Sequence, residues 1–216
     1  YIKRILIIRV LLTRIVFNAC HKNAVTGRVG LNLVPEKELM SMSSQQYQAF
    51  LGEHVPLKEQ KPPLMDGDPR VNLVRGCGER IQKAVEEFYK QKGLSSELAA
   101  YQWEFNVVDE ETVNAWCMPG GKVVVYTGLL PVTQDEKSLA VVMGHEIAHA
   151  IARHGNQRMS QGLLVQFGGA ALSVAVSQKP AVVQNLFLQS FGIGTTLGVL
   201  SYSRKHETEA DKMGLM

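Results

Sequence analysis

The chain has only three cysteines, Cys20, Cys77 and Cys117, and no two of them form a CxxC pair. Their spacing excludes a zinc ribbon or any other structural metal site built on cysteine. A single disulfide between Cys77 and Cys117, or two buried thiols, are the readings that remain. The chain also lacks an excess of charge of one sign. Its net charge is +3, and Lys3, Arg4, Arg9 and Arg14 all precede Cys20. Without these four, the 23 Lys and Arg fall to 19 against 20 Asp and Glu. A body so near neutrality gives nucleic acid no electrostatic footing. Repeats and disorder-prone composition are missing too. The 216 residues are 45% hydrophobic and 20% charged, enough for one sizeable domain with a buried core.

Residues 1–20, YIKRILIIRVLLTRIVFNAC, have a basic start and an apolar stretch that ends at small residues and a cysteine. This pattern suits a bacterial lipoprotein leader, with Phe17-Asn18-Ala19-Cys20 as a loose lipobox and Cys20 as the lipidated residue. Arg9 and Arg14 interrupt the apolar run, which also suits an amphipathic helix at a membrane surface. A leader places the protein in the bacterial cell envelope, on the periplasmic side, lipid-anchored or otherwise membrane-associated. The sequence starts at Tyr1 and stops at Met216 inside a helical pattern, so we expect a C-terminally truncated fragment.

Residues 21–34 are polar and contain glycine, and read as a linker. A domain is expected over 35–216, α+β and mainly helical, with a small mixed or antiparallel sheet. Pro35 opens a helix with acidic residues in its first turn. Val71, Val74, Ile81, Val85 and Phe88 recur at helical spacing from Pro69 to about Gln91. Strands are expected at Trp103–Val108, where residues alternate, and at Lys122–Tyr126. A helix follows from Asp135 to about His154. The apolar segments 159–177 and 181–200 predict a buried helical hairpin, the second carrying the GxxxG pattern Gly194 to Gly198. Residues 204–216 are a last helical piece.

His145-Glu146-Ile147-Ala148-His149 is an H-E-x-x-H pattern. Four residues on a helix turn by ~400° and rise ~6 Å. His145 and His149 therefore share a face and can reach one ion. Glu146 lies ~100° around the helix, off that ion but beside a water held there, the position of a general base. The flanking Val142, Met143, Ala148 and Ile151 bury the helix, and burying two histidines and a glutamate without a shared partner is costly. Zinc needs a third protein ligand. A ligand scheme of the type H-E-x-x-H-x-x-G-x-x-H is absent: Ala152 and Gly155 occupy the glycine and histidine positions, and His154 turns ~140° from His149. A glutamate from a later helix is the other scheme. Glu207 and Asp211 are four apart, and Ala210 is small enough for close helix packing. Glu207 is then the third ligand, and Asp211 accepts an N–H from a ligand histidine. His206 and Glu209 compete. His206 reads as solvated beside the cleft, and Glu209 turns ~200° from Glu207 and faces away.

HEIAH followed by SRKHETEAD resembles the HtpX, BepA and CAAX-prenyl-protease group of gluzincin peptidases, peptidase family M48. The family's E-x-x-A-D motif maps onto Glu207 to Asp211, and Asn114 to Leu130 looks like its edge-strand segment. The likeness runs from about Trp103 to Met216. It implies a zincin-like domain holding one Zn2+ per chain, with His145, His149 and Glu207 as ligands and Glu146 as the catalytic base. It implies a metalloendopeptidase acting on misfolded or envelope polypeptides. It assigns main-chain substrate pairing to the strand Val123, Val124, Val125 and Tyr126. The alternative is an envelope chaperone-like interaction protein with a regulatory zinc site.

Overall fold

The run Val123-Val124-Val125 is apolar without alternation because both of its faces are covered. In the computed structural model, which describes residues 20–54, 56–57, 67–167, 180–193 and 202–216, it is the middle of a three-stranded sheet. Strands β3 (Glu104–Val108), β4 (Ala115–Met118) and β5 (Lys122–Tyr126) lie in the order β3-β5-β4. β5 runs parallel to β3 and antiparallel to β4. The sheet is therefore mixed, and its hairpin is β4–β5, turned through Gly120 and Gly121, both at positive φ.

Val124, Tyr126, Trp116 and Met118 point to one face of the sheet. There they meet helices α1 (Glu36–Glu53), α5 (His154–Phe167) and α6 (Pro180–Ser190) through Tyr47, Phe50, Met159, Leu163 and Phe187. Val123, Val125, Ala115 and Cys117 point to the other. They pack on α2 (Pro69–Gln91) and α4 (Glu136–Ile151) through Val74, Cys77, Leu139, Met143 and Ile147. Each fully buried Val, Leu, Ile, Phe or Met among them contributes about 1.5–3 kcal/mol. Cys77 and Cys117 are both buried free thiols.

Local signals set the helix ends. Asp68 accepts from the Arg70 N–H at 2.9 Å and Pro69 opens α2. The Asp135 carboxylate accepts from the Ser138 N–H at 2.7 Å and opens α4. Between β5 and α4 lie a 3-10 turn, Thr127–Leu129, and a short helix, α3 (Leu130–Thr133). The α5 and α6 helices pack together, with Gly162 against Leu186 and Gly155 against Phe191. These are the described parts of the expected helical hairpin; residues 168–177 and 194–200, with the GxxxG pattern, lie outside the described residues. So do residues 1–19. Among the described residues no helix is long and apolar enough to cross a membrane.

Three expectations are corrected. First, residues 21–34 are not a free linker. Strands β1 (Cys20–Lys22) and β2 (Val29–Leu31) form an antiparallel hairpin. Leu33 N–H donates to Ser160 Oγ at 2.8 Å and Asn156 Nδ2 donates to Val34 O at 2.9 Å, strapping the chain to α5. Second, the strand Val123–Tyr126 is not exposed. Its main chain is paired on both sides, and its residues are buried, so it has no edge to offer. The edges of this sheet are β4, which packs along α4, and β3, which carries an isolated bridge between Pro56 and Val108 on its outer side. Third, the histidine helix stops at Ile151. Arg153 has φ +59°, and its guanidinium reaches Glu36 and Glu97, each at 3.4 Å. This break turns the chain before His154 starts α5.

Candidate metal centre

Helix α7 (Arg204–Gly214) crosses α4 closely because each contributes a glycine at the crossing. A Cβ on Gly144 would stand 3.0 Å from Gly214 O, and one on Gly214 would stand 3.0 Å from Gly144 C. Ala210 is fully buried beside them. Ser203 starts α7, its side chain accepting from the His206 N–H at 3.4 Å. The first turn of α7 then delivers Glu207 to the histidines.

The Nε2 atoms of His145 and His149 are 2.9 Å apart. Glu207 Oε2 is 3.4 Å from the first and 3.8 Å from the second. Ligand atoms on a tetrahedral zinc with bonds of 2.0–2.1 Å are ~3.3 Å apart, and the three observed separations bracket that value. Among the described residues this is the group of three whose ligand atoms converge, all within 4.8 Å. The donor set of two imidazoles and one carboxylate suits zinc with an open fourth position. Asp211 Oδ1 lies 2.9 Å from His145 Nδ1. A carboxylate only accepts, so it fixes the proton on Nδ1 and leaves the His145 Nε2 lone pair facing the other two ligand atoms.

Glu146 is half-buried on the same helix. Burial, and then the Glu207 charge, push its carboxyl up to about 8. Tyr202 lies over His149, ring centroids 4.2 Å apart at 23°. Its N–H donates to Glu207 Oε1 at 3.1 Å and its hydroxyl to Ser190 O at 2.7 Å. Tyr202 therefore touches both a histidine and the glutamate of the group. The Tyr126 hydroxyl accepts from Trp116 Nε1 at 3.4 Å.

A second polar cluster lies behind the first, where nothing in the sequence pointed. His154 is fully buried, with Nδ1 2.8 Å from His149 Nδ1 and Nε2 3.0 Å from Glu209 Oε2. Thr26 Oγ1 and Arg28 Nε, from the β1–β2 hairpin, both donate to Glu209. His206 is buried, not solvated. Its ring stacks on His154 at 4.4 Å, and its Nε2 lies 3.0 Å from Gln157 Oε1, which also accepts from Arg28 Nη1. Glu209 does face away from Glu207, and its destination is this cluster. Burial opposes its charge, but hydrogen bonds from Thr26, His154 and Arg28 hold its carboxyl below the usual range. Burial lowers His154 to about 4. Burial, and then the neighbouring His154, His145 and His206, hold His149 far below its ordinary value. The turn of ~140° assigned to His154 assumed one continuous helix. The break at Arg153 removes that premise and brings the ring back over His149.

The family model described as peptidase family M48 matches residues 78–216, more than half of the chain. The chain belongs to peptidase family M48. Within it, the mitochondrial metalloendopeptidase OMA1 of Arabidopsis thaliana is 38% identical over 141 residues, 63% of this chain and 26% of that protein. The human mitochondrial metalloendopeptidase OMA1 is 28% identical over 204 residues, 93% of this chain and 36% of that protein. The beta-barrel assembly-enhancing protease of Escherichia coli (strain K12) is 28% identical over 116 residues, 52% of this chain and 24% of that protein. The chain thus spans 26% to 38% of the length of the OMA1 proteins of the plant and the two yeasts. The M48 match begins at Gly78. It therefore leaves out the β1–β2 hairpin that closes on Glu209.

Proposed function

We propose that the chain is the catalytic domain of a zinc-dependent metalloendopeptidase. His145, His149 and Glu207 hold one Zn2+, Glu146 is the general base and Asp211 orients His145. The observation that carries this reading is the convergence of two imidazoles and a carboxylate from a second helix, with Glu146 one position from the first ligand. Zinc, when bound, polarises a carbonyl and acidifies water. Glu146 takes the proton of the attacking water and passes it to the leaving amine.

The polypeptide substrate is extended. It adds by main-chain pairing to the sheet beside α4. Misfolded or envelope proteins are the substrate class that such weakly sequence-selective pairing serves. The relatives' names place some of them in mitochondria and one in beta-barrel assembly. For this chain the basic, apolar stretch before the exposed Cys20 supports a periplasmic, lipid-anchored location. Acylation of Cys20, lost in Cys20→Ser, tests that part.

Cleavage of unfolded casein together with zinc content tests the activity. Glu146→Gln is expected to keep one zinc per chain and lose roughly 10²–10⁴-fold in rate. His145→Ala is expected to lose both zinc and cleavage. A Glu146→Gln protein that cleaves at the wild-type rate would leave the alternative, an interaction protein with a regulatory zinc site.

A further inference from the structure

His149 has two ring nitrogens, and each faces something different. Nε2 faces His145 and Glu207. Nδ1 is 2.8 Å from the Nδ1 of His154. Two imidazole nitrogens at that distance need a proton or a metal ion between them. The Nε2 pair of His145 and His149 has Glu207 to complete a metal group. The Nδ1 pair has no third ligand among the described residues, so there one nitrogen donates and the other accepts. The far end of the chain of contacts decides which. Glu209 takes hydrogen bonds from Thr26 and Arg28 and stands 3.0 Å from His154 Nε2. The Arg28 guanidinium already supplies the countercharge for this carboxylate. Glu209 can only accept, so His154 carries its proton on Nε2. The neutral His154 ring then shows a lone pair at Nδ1. It accepts the Nδ1–H of His149, and the His149 Nε2 lone pair is left for a metal.

We propose that His154 is a positioning residue: a Glu209–His154–His149 hydrogen-bond relay, clamped by Thr26 and Arg28 of the N-terminal hairpin, fixes the tautomer and ring orientation in which His149 binds zinc. The proposal rests on the reading of His149 as a zinc ligand. His145 has the usual device, a carboxylate directly on Nδ1. His149 has the same device with an imidazole inserted. The ring plane of the inserted imidazole is held by stacking against His206, whose Nε2 donates to Gln157. The side chain of His154 is wholly enclosed, so no water substitutes for it without a cavity being opened. The consequence reaches outside the M48 match: the hairpin of residues 20–31, in a stretch that reads as a linker in the sequence, becomes part of the support of the metal centre.

The test uses the 216-residue chain and two readouts besides activity. The first is zinc affinity by chelator competition for wild type, His154→Phe and His154→Asn. Phenylalanine fills the space without an acceptor, and zinc affinity is expected to fall roughly 10–100-fold. Asparagine places its carboxamide oxygen where the ring Nδ1 was and is expected to recover affinity to within a few-fold of wild type. The second is the imidazole tautomer of His149 from long-range proton–nitrogen NMR, read on wild type with and without zinc. The Nδ1–H form is expected in both, with Nε2 as the ligand atom. Equal zinc affinity in wild type and a folded His154→Phe would overturn the relay, and so would an Nε2–H form of His149. If His154→Phe does not fold, the wild-type tautomer decides alone. A wild-type chain that binds no zinc would remove the underlying ligand reading instead, and the zinc-free tautomer would still judge the relay.

Discussion

His145 and His149 stand one turn apart on one helix, yet their surroundings are opposites. The His145 side chain is 25% exposed, and its partner carboxylate, Asp211, is 64% exposed. The His149 side chain is 5% exposed, its neighbour His154 0%, and Glu209 beyond it 5%. One histidine is thus oriented at the solvent boundary by a single charged group. The other is oriented inside the protein by a line of groups that ends on a hairpin from far away in sequence. The difference teaches that two ligands equal in the sequence motif are unequal in how replaceable their supports are. Water can stand in for an exposed carboxylate. It cannot reach the buried line.

The predictions break or sharpen this contrast in order of size. Glu209→Ala has the largest expected effect. It leaves Arg28 and the buried His154 without their shared acceptor, and breaking a buried pair costs about 3–5 kcal/mol. Denaturant melts in the absence of zinc measure it, and a change below 1 kcal/mol would put the two sides on a par. Next is Gly144→Val, at the crossing where a Cβ would already touch Gly214 O. Overpacking there is expected to cost about 1–3 kcal/mol and to weaken zinc binding by moving Glu207 off the histidines. Zinc affinity unchanged in a destabilised variant would show that α7 adjusts without losing the ligand. Asp211→Asn follows, with an expected loss of roughly 10-fold in zinc affinity and little change in the melt of the zinc-free protein. The smallest is Ser203→Ala. It removes the side-chain cap of α7 and is expected to cost about 1 kcal/mol, with zinc affinity nearly intact.

Much of the frame was legible in the residues. Helical spacing placed α2 over Pro69–Gln91, and the two observed strands β3 and β5 lie within or on the expected runs. The HEIAH spacing and Glu207 to Asp211 named the residues that the fold brings together. The failures have physical causes. β4, Ala-Trp-Cys-Met, is buried on both faces, so it shows none of the alternation that marks a half-buried strand. The same logic misplaced the substrate edge. An unbroken valine run is the mark of a strand covered on both faces, and that signal argued for a central strand from the start. The hairpin β1–β2 is built from three-residue strands, too short for a period to show. His154 escaped because an angle around a helix holds only while the helix continues, and no residue type near Arg153 announced the break. Glu209 and His206 were weighed only as rival ligands, so their role behind the metal group went unread.

The central claim is that one zinc ion binds where His145, His149 and Glu207 converge. An anomalous-difference map at the zinc edge, from crystals of the zinc-loaded chain, tests it most directly. The account predicts a single peak about 2.0–2.2 Å from His145 Nε2, His149 Nε2 and a Glu207 oxygen. A peak among His154, His206 and Glu209, or one with the Glu207 carboxylate outside bonding distance, would contradict it.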